Sequence, residues 1–161
     1  MPHTILCDFD GTLHSMDSGW CGPRTIPDAP VDGAIEWLLQ AVATPDVEVA
    51  VYSTRSHHFG GRRAMKRWLA YWAAAHFRQA NDTATATKPG PLDLWFGAGY
   101  EPGMKPVTEE AKRAGDWLVN QLRWPKHKIP AVVHLDDRAV CFRGTFWPPD
   151  VLANFKPWNE P

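Results

Sequence analysis

The chain alternates between short, continuously apolar runs and stretches whose apolar positions recur every three or four residues. The short apolar runs predict strands. They cover residues 3–9, 47–53, 92–96 and 130–135. A spacing of three or four residues places apolar side chains on one face of a helix. This spacing predicts helices at 31–42, about 61–77 and 106–122, the last with Thr108 as its N-cap.

An alternation of strands and helices is typical of an α/β fold, because two parallel strands need a long crossover that a helix supplies. We therefore expect a three-layer, Rossmann-like parallel sheet with helices on both faces and right-handed crossovers. Ligands of such sheets bind at the carboxyl ends of the strands. Candidate functional residues are therefore expected at that edge.

Length and composition narrow the class of protein further. A chain of 161 residues, 44% hydrophobic and 22% charged, is expected to form one globular domain over 1–161. Its three cysteines are too few for a disulfide framework, and no apolar run approaches the roughly 20 residues of a membrane span. We expect a cytoplasmic protein without a membrane partner. A net charge of -1 argues against a generic electrostatic grip on nucleic acid.

Acidic or polar side chains follow three of the predicted strands. Asp8 and Asp10 end the first apolar run, Ser53 ends the second, and Asp136 and Asp137 follow the last. The carboxyl ends of parallel strands meet at one edge, so these side chains are expected to share a crevice. Carboxylates that share a crevice repel each other unless a cation lies among them. Oxygen ligands of this kind, completed by water and a phosphate oxygen, suit Mg²⁺.

Several motifs together resemble a known family. The segment "DFDGTL" at 8–13, a strand ending in Ser53, a Lys-Pro pair and the ending "LDDR" at 135–138 are similar to the haloacid dehalogenase superfamily. The "STR" at 53–55 and the "DDR" ending resemble small phage-type members and, more distantly, the 3'-phosphatase domain of phage polynucleotide kinases. The resemblance spans roughly residues 4–140. It implies a Mg²⁺-dependent phosphatase that forms an aspartyl-phosphate.

The resemblance also implies a role for each residue that matches a motif. Asp8 would attack phosphorus as the nucleophile. Asp10 would protonate the leaving oxygen, activate water in the second step and offer its backbone carbonyl to the metal. Ser53 would donate a hydrogen bond to the phosphoryl group. Asp136 and Asp137 would complete the Mg²⁺ site beside Asp8.

The family also needs a lysine to neutralise the nucleophile and the phosphate, and two lysines compete for that position. Lys105 lies between a predicted strand and a predicted helix, at the carboxyl edge of the sheet. Lys128 lies where short relatives often have a Lys-Pro. At roughly 3.3 Å per residue, extended chain would place the Lys128 backbone about 25 Å from Asp136. We favour Lys105, although its separation from Asp136 is long for the family, and either lysine would otherwise be a solvated surface charge.

Four further residues are candidates for binding the substrate. Thr54 and Arg55 follow Ser53, and the resemblance assigns Arg55 to the substrate phosphate, the alternative being a surface ion pair. Residues 13–30, which we call the flap, occupy the position of a short covering hairpin in this superfamily. Trp20 and Arg24 in the flap are candidates for contacting the leaving group, although Trp20 could equally pack on the domain.

The rest of the chain leaves room for only a minimal cap. The flap is too short to form a domain, so the site is expected to be open to a large substrate or covered by a second subunit of a homo-oligomer. A basic run at 62–67 could extend a positive strip beside the site, or could be the solvated face of a helix. Residues 142–161 are expected to pack on the core as a C-terminal extension.

Two functions follow from the sequence. The first is a Mg²⁺-dependent phosphatase acting on nucleotides, nucleic-acid end phosphates or a small metabolite. The second is a binding or regulatory module that keeps the fold and the metal site without useful turnover. The chemical positions are occupied by suitable residues, which favours the enzyme, whereas the uncertain lysine favours the module.

Overall fold

The structure, a computed structural model, describes residues 2–81 and 108–139. In these residues the order is strand, helix, strand, helix, helix, strand, and the strand predicted between the last two helices lies outside the described residues. The elements are β1 (His3–Cys7), α1 (Ala34–Ala43), β2 (Val47–Val51), α2 (Gly61–Asn81), α3 (Glu109–Gln121) and β3 (Val133–Leu135), with a turn of 3₁₀ helix at Thr54–His57. The predicted strand at 92–96, the preferred lysine Lys105 and the extension at 142–161 lie outside the described residues.

The three described strands form a parallel sheet in the order β2-β1-β3. The register pairs Cys7, the last residue of β1, with Val51, the last of β2, and with Leu135, the last of β3. All three carboxyl ends therefore lie at one level of the sheet. The expected α/β class and the parallel pairing are confirmed for these strands.

Two predicted strands extend too far towards their carboxyl ends, and one begins too early. The run 3–9 leaves the sheet after Cys7, because the Phe9 carbonyl accepts hydrogen bonds from the N–H groups of Leu13 and His14 in a turn. The run 47–53 ends at Val51, since Ser53 caps the following 3₁₀ helix. The last strand begins at Val133 and not at residue 130. The polar residues predicted to end the strands therefore form turns beyond them.

The helices bury the faces that their spacing predicts. Thr108 caps α3 as expected, because its side chain accepts a hydrogen bond from the Ala111 N–H. Helix α2 runs to Asn81, beyond the predicted end near residue 77. In the described part of the chain, no helix is both long enough and apolar enough to cross a membrane.

A continuous apolar core lies beneath the first motif. Phe9 and Leu13, which flank the "DGT" turn, are buried together with Trp68 and Leu69 of α2. The ring of Phe9 meets the ring of Trp68 edge to face, with centroids 5.0 Å apart. The loop that follows β1 is thus supported from below by α2, and this support holds its polar side chains at the carboxyl edge.

Candidate active site

The carboxyl edge of the sheet collects the side chains that the sequence predicts to meet there. The Asp8 N–H donates to the Leu135 carbonyl at 2.8 Å, and the Tyr52 N–H donates to the Cys7 carbonyl at 3.0 Å. These two bonds extend the strand pairing by one residue on each side of β1. Residues that follow the three strands are therefore held close together.

Three carboxylates form an acidic cluster at this edge. One oxygen each from Asp8, Asp136 and Asp137 lies within 4.8 Å of the others. Asp137 is buried, and its Oδ1 atom has no hydrogen-bond partner. An unpaired buried carboxylate oxygen is costly unless a cation or a proton compensates it.

The pKa values of two carboxyl groups in the cluster are raised, as expected when carboxylates are buried close together. Burial, together with the negative charges of Asp136, Asp10 and Asp137, raises the pKa of Asp8 to about 7, against a hydrogen bond from the Phe9 backbone that lowers it. Burial likewise raises the pKa of Asp137, although the charge of Arg138 opposes this. The donor set is made only of carboxylate oxygens, and such a set fits a hard divalent cation such as Mg²⁺.

Gly11 allows Asp137 to approach the first motif. A Cβ atom on Gly11 would lie 2.3 Å from Asp137 Oδ2, closer than any side chain can pack. Gly11 also has φ +82°, in the left-handed region that favours glycine. The glycine of the "DGT" turn is thus needed both for the backbone conformation and for the position of the Asp137 carboxylate.

Replacing Gly11 by Ala is expected to destabilise the fold and to weaken any binding of Mg²⁺ by the acidic cluster. Gly33→Ala is the matched control, because Gly33 has φ +81° and no other group lies within 4 Å of the position that its methyl group would occupy. The control should lose about 1–2 kcal/mol from backbone strain alone. Gly11→Ala should lose at least about 1 kcal/mol more, since Asp137 must move. Urea unfolding and Mg²⁺ titration of the melting temperature measure both effects, and equal losses would contradict the prediction.

Asp10 faces a second set of partners, apart from the acidic cluster. Arg55 Nε donates to both of its oxygens at 2.8 and 2.9 Å, Ser53 Oγ donates at 3.0 Å, and His14 Nδ1 lies 3.1 Å away. Burial by itself would raise the pKa of Asp10. The hydrogen bonds from His14, Arg55 and Ser53, together with the Arg55 charge, outweigh burial and lower that pKa. Asp10 is therefore an ionised carboxylate in this state.

Arg55 is completely buried beneath the flap. Its Nη1 atom donates to the carbonyls of Gly22 and Thr25 at 2.6 and 3.1 Å, and its Cζ atom lies 4.3 Å from the centre of the Trp20 ring. The alternative of a surface ion pair is wrong, because the side chain is 0% exposed. Its Nη2 atom is buried without a partner. Arg55 thus joins Asp10 to the flap and keeps one donor unused.

His14 belongs to the site, although sequence reasoning missed it. The ring is fully buried and packs between Phe9 and Trp68, with centroids 5.8 and 5.6 Å away. The Asp28 N–H donates to Nε2 at 3.3 Å, so we assign the ring proton to Nδ1, which donates to Asp10. The only local signal is a spacing of four residues from Asp10, and the ring is buried against Trp68 of α2, which lies far along the chain.

The remaining predicted site residues lie around this centre. Ser53 is buried, and its single hydroxyl proton is directed to Asp10, so its contact with a phosphoryl group stays a prediction. Thr54 is exposed at the start of the 3₁₀ helix. Trp20 is half exposed above Arg55, and Arg24 is exposed with its Cδ atom against Gly60. Lys128, the alternative lysine, is exposed.

Comparison with known proteins found no relative of this chain. No protein-family model matches the chain, and no curated protein and no solved structure matches it. The resemblance to the haloacid dehalogenase superfamily therefore stays a prediction from the motifs.

Proposed function

We propose that this protein is a Mg²⁺-dependent phosphatase of the haloacid dehalogenase type, which hydrolyses phosphomonoesters through an aspartyl-phosphate on Asp8. The proposal includes a cytoplasmic location and a three-layer Rossmann-like core whose cap is the flap alone. Nucleotides and nucleic-acid end phosphates are the substrates that the motif resemblance favours.

One observation carries the proposal: Asp8, Asp136 and Asp137 converge at the carboxyl edge of a parallel sheet, with a raised pKa on Asp8 and an unpaired oxygen on Asp137. Perturbed carboxyl groups that share a cleft are typical of functional sites. Arg138 compensates the cluster only in part, because its Nε atom lies 3.6 Å from Asp137 Oδ2 whereas Asp137 Oδ1 has no hydrogen-bond partner. The same residues are the ones that the motifs assign to the nucleophile and to the metal.

The first step forms a bond between an Asp8 oxygen and phosphorus while the bond from phosphorus to the leaving oxygen breaks. Asp8 must be ionised to attack, yet burial raises its pKa to about 7. Mg²⁺, held by Asp8, Asp136 and Asp137, would supply positive charge that keeps Asp8 ionised and neutralises the phosphoryl oxygens. The same guanidinium group that pairs with Asp10 through Nε has a buried Nη2 donor without a partner, and a phosphoryl oxygen bound there would satisfy it.

The second step needs a base, and Asp10 is prepared for it. Hydrogen bonds from Arg55, Ser53 and His14 hold Asp10 as a carboxylate. That carboxylate takes a proton from water as the water oxygen attacks phosphorus and releases Asp8. Protonating a poor leaving group in the first step requires a proton on Asp10. We expect the Ser53 hydroxyl to turn from Asp10 to the phosphoryl group, which raises the proton affinity of Asp10.

Asp10 already has three hydrogen-bond partners, and this favours the second candidate function, a binding or regulatory module. A carboxylate with three partners and a lowered pKa is suited to structural support as well as to catalysis. A module of this kind would bind Mg²⁺ and a phosphorylated ligand at the same edge without releasing phosphate. The two candidates differ in turnover and agree on the metal site.

Hydrolysis of p-nitrophenyl phosphate separates the two functions. The enzyme proposal predicts multiple turnovers with Mg²⁺ and none with EDTA. Asp10→Asn is expected to release one equivalent of p-nitrophenolate in a burst and then to stall, because this leaving group departs without a proton whereas the aspartyl-phosphate needs a base. Stopped-flow absorbance at the start of the reaction measures the burst.

Asp32→Asn, which alters an exposed carboxylate before α1, is the control and should keep the full steady-state rate. An Asp10→Asn variant that also keeps that rate would remove Asp10 from the mechanism. A screen of phosphate release over nucleotides, 3'- and 5'-phosphorylated oligonucleotides and sugar phosphates would identify the substrate. Absence of phosphate release from every substrate in the presence of Mg²⁺ would replace the enzyme proposal by the module.

A further inference from the structure

A large groove lies beside the candidate active site. It has a volume of about 1110 Å³ and runs between the flap, the 3₁₀ helix and the first turns of α2. Its lining is basic or aromatic at most positions. The charged and aromatic residues that line it are Arg24, His57, His58, Phe59, Arg62, Arg63, Lys66, Arg67 and Lys126. We call this feature the basic groove.

Charge is strongly segregated in the basic groove. Six Arg or Lys residues and two His residues line it, and the described lining contains no Asp or Glu. The whole chain, in contrast, has 18 acidic and 17 basic residues. Such a concentration of one sign raises the local concentration of anions, and several separated cations suit a ligand with several anionic groups. The ordinary solvated face of a helix does not require this segregation.

Aromatic side chains are placed among these cations. Phe59 is 94% exposed at the rim of the groove. The rings of His57 and His127 lie 5.5 Å apart nearby. Exposed aromatic rings next to cations are the features with which proteins bind single-stranded nucleic acids, because bases stack on the rings while phosphates meet the cations. An acidic protein segment would use the cations and leave Phe59 without a role.

The groove is physically joined to the candidate active site. The Tyr52 hydroxyl and His57 Nε2 are 2.8 Å apart, and Tyr52 directly precedes Ser53, whose hydroxyl donates to Asp10. Arg24 of the flap lies against Gly60, where a Cβ atom would come within 3.0 Å of its Cδ atom. A strand in the groove would thus end close to the partners of Asp10.

The far wall of the groove is also fixed in place. Arg62 Nη1 donates to the Trp124 carbonyl at 3.2 Å, and Lys66 Nζ lies 5.8 Å from the centre of the Trp124 ring. These contacts pin the segment after α3 to α2 and bring Lys126 to the groove. The cations therefore come from three separate parts of the chain and are organised by the fold.

We propose that the basic groove binds the sugar–phosphate backbone of a single-stranded nucleic acid, with a base stacked on Phe59, and directs a terminal phosphate of that strand towards Asp8. The binding of a strand is inferred from the groove alone, whereas the delivery of its phosphate to Asp8 rests on the proposed phosphatase function. Of the substrates that the motif resemblance favours, the proposal selects the phosphorylated ends of single strands over free nucleotides.

Fluorescence anisotropy with a labelled oligo-dT of about 12 nucleotides tests the binding, in EDTA and over a range of salt concentrations. The double variant Arg63→Glu/Lys126→Glu is expected to bind at least about tenfold more weakly, with a shallower dependence on salt. Its matched control is Lys112→Glu/Arg113→Glu, which makes the same change of net charge on the exposed face of α3. The control should stay within about twofold of the unsubstituted protein.

The substitution Phe59→Ala tests whether a base stacks on the Phe59 ring. Stacking of one base predicts a loss of about fivefold or more in affinity, with the salt dependence unchanged. Because Phe59 is almost fully exposed, this substitution spares the core and keeps the test valid if a charge-reversal variant folds poorly. Oligo-rU and a duplex of equal length distinguish DNA from RNA and single strands from double strands.

Several results would overturn the inference. The first is that the protein binds no oligonucleotide at low salt. The second is that the groove variant and the control variant weaken oligonucleotide binding equally. The third is that polyglutamate of equal charge displaces the oligonucleotide while Phe59→Ala leaves the affinity unchanged. Failure of the proposed function has a different signature. A protein that hydrolyses p-nitrophenyl phosphate and binds no strand refutes the groove alone, whereas one that binds strands through the groove and hydrolyses no phosphate refutes the phosphatase.

Discussion

Replacing Asp8 by Asn is expected to lower the proposed phosphatase activity by about a thousandfold or more and, without Mg²⁺, to stabilise the fold above pH 7. The loss of activity follows because an amide cannot form the acyl phosphate. The gain in stability follows because the amide removes one of three converging negative charges. A residue with a purely structural role would change stability in the opposite direction.

The pH dependence of stability follows from the pKa of Asp8. An aspartate titrates near 3.9 in an unfolded chain, whereas Asp8 in the folded protein has a pKa of about 7. Between these values the folded state holds a proton that the unfolded state has released. Stability therefore falls as the pH rises from about 4 to 7, by at most about 4 kcal/mol, and stays low above pH 7. Asp8→Asn should escape that fall.

Urea unfolding between pH 5 and pH 8 in EDTA measures the free energy of unfolding of both proteins. Mg²⁺ should restore the stability of the unsubstituted protein at pH 8 and change it little at pH 5, where a proton occupies Asp8. Asp116→Asn, on the exposed face of α3, should behave like the unsubstituted protein. If the stability of Asp8→Asn and that of the unsubstituted protein depend on pH in the same way, the pKa of Asp8 is not raised in the folded protein.

Replacing Arg55 by Met is expected to destabilise the fold by about 3–5 kcal/mol. The substitution leaves the Asp10 carboxylate buried without its guanidinium partner, whose Nε atom lies 2.8 Å away. It also removes the donor shared by the carbonyls of Gly22 and Thr25, so the flap loses two of its hydrogen bonds to the site. The free energy of unfolding in urea measures the loss.

An exposed ion pair in the same protein is the control. Arg123 Nη1 lies 3.0 Å from Glu48 Oε2, but the Arg123 side chain is 51% exposed. Arg123→Met should therefore cost no more than about 1 kcal/mol. Adding Asp10→Asn to Arg55→Met should recover much of the loss, because it removes the unpaired charge. Similar losses for Arg55→Met and Arg123→Met would contradict the buried ion pair.

Sequence reasoning succeeded where a single local pattern decides the structure. Continuous apolar runs identified the three described strands, and three- and four-residue spacing identified the helices, down to Thr108 as the cap of α3. It failed at strand ends. Ser53 follows an apolar run but serves as a cap, and a cap residue looks the same in a sequence as a strand residue.

The convergence of Asp8, Asp136 and Asp137 was also predictable, and it depended on one inference about topology. Parallel strands in register bring their carboxyl ends to one level, so acids that follow different strands meet even when more than a hundred residues separate them. The role of Gly11 follows from the same convergence, because only the fold brings Asp137 against it.

The sequence by itself determined the strands, the helices and the edge at which the acids gather, because these depend on the periodicity of residues that are neighbours along the chain. The tertiary structure alone decided which partners those acids have. Arg55 and His14 carry no local sign that they are buried, and the contacts of Arg55 with Asp10 and Gly22 join residues that lie far apart along the chain. Burial and pairing are properties of packing, so no pattern of neighbouring residues encodes them.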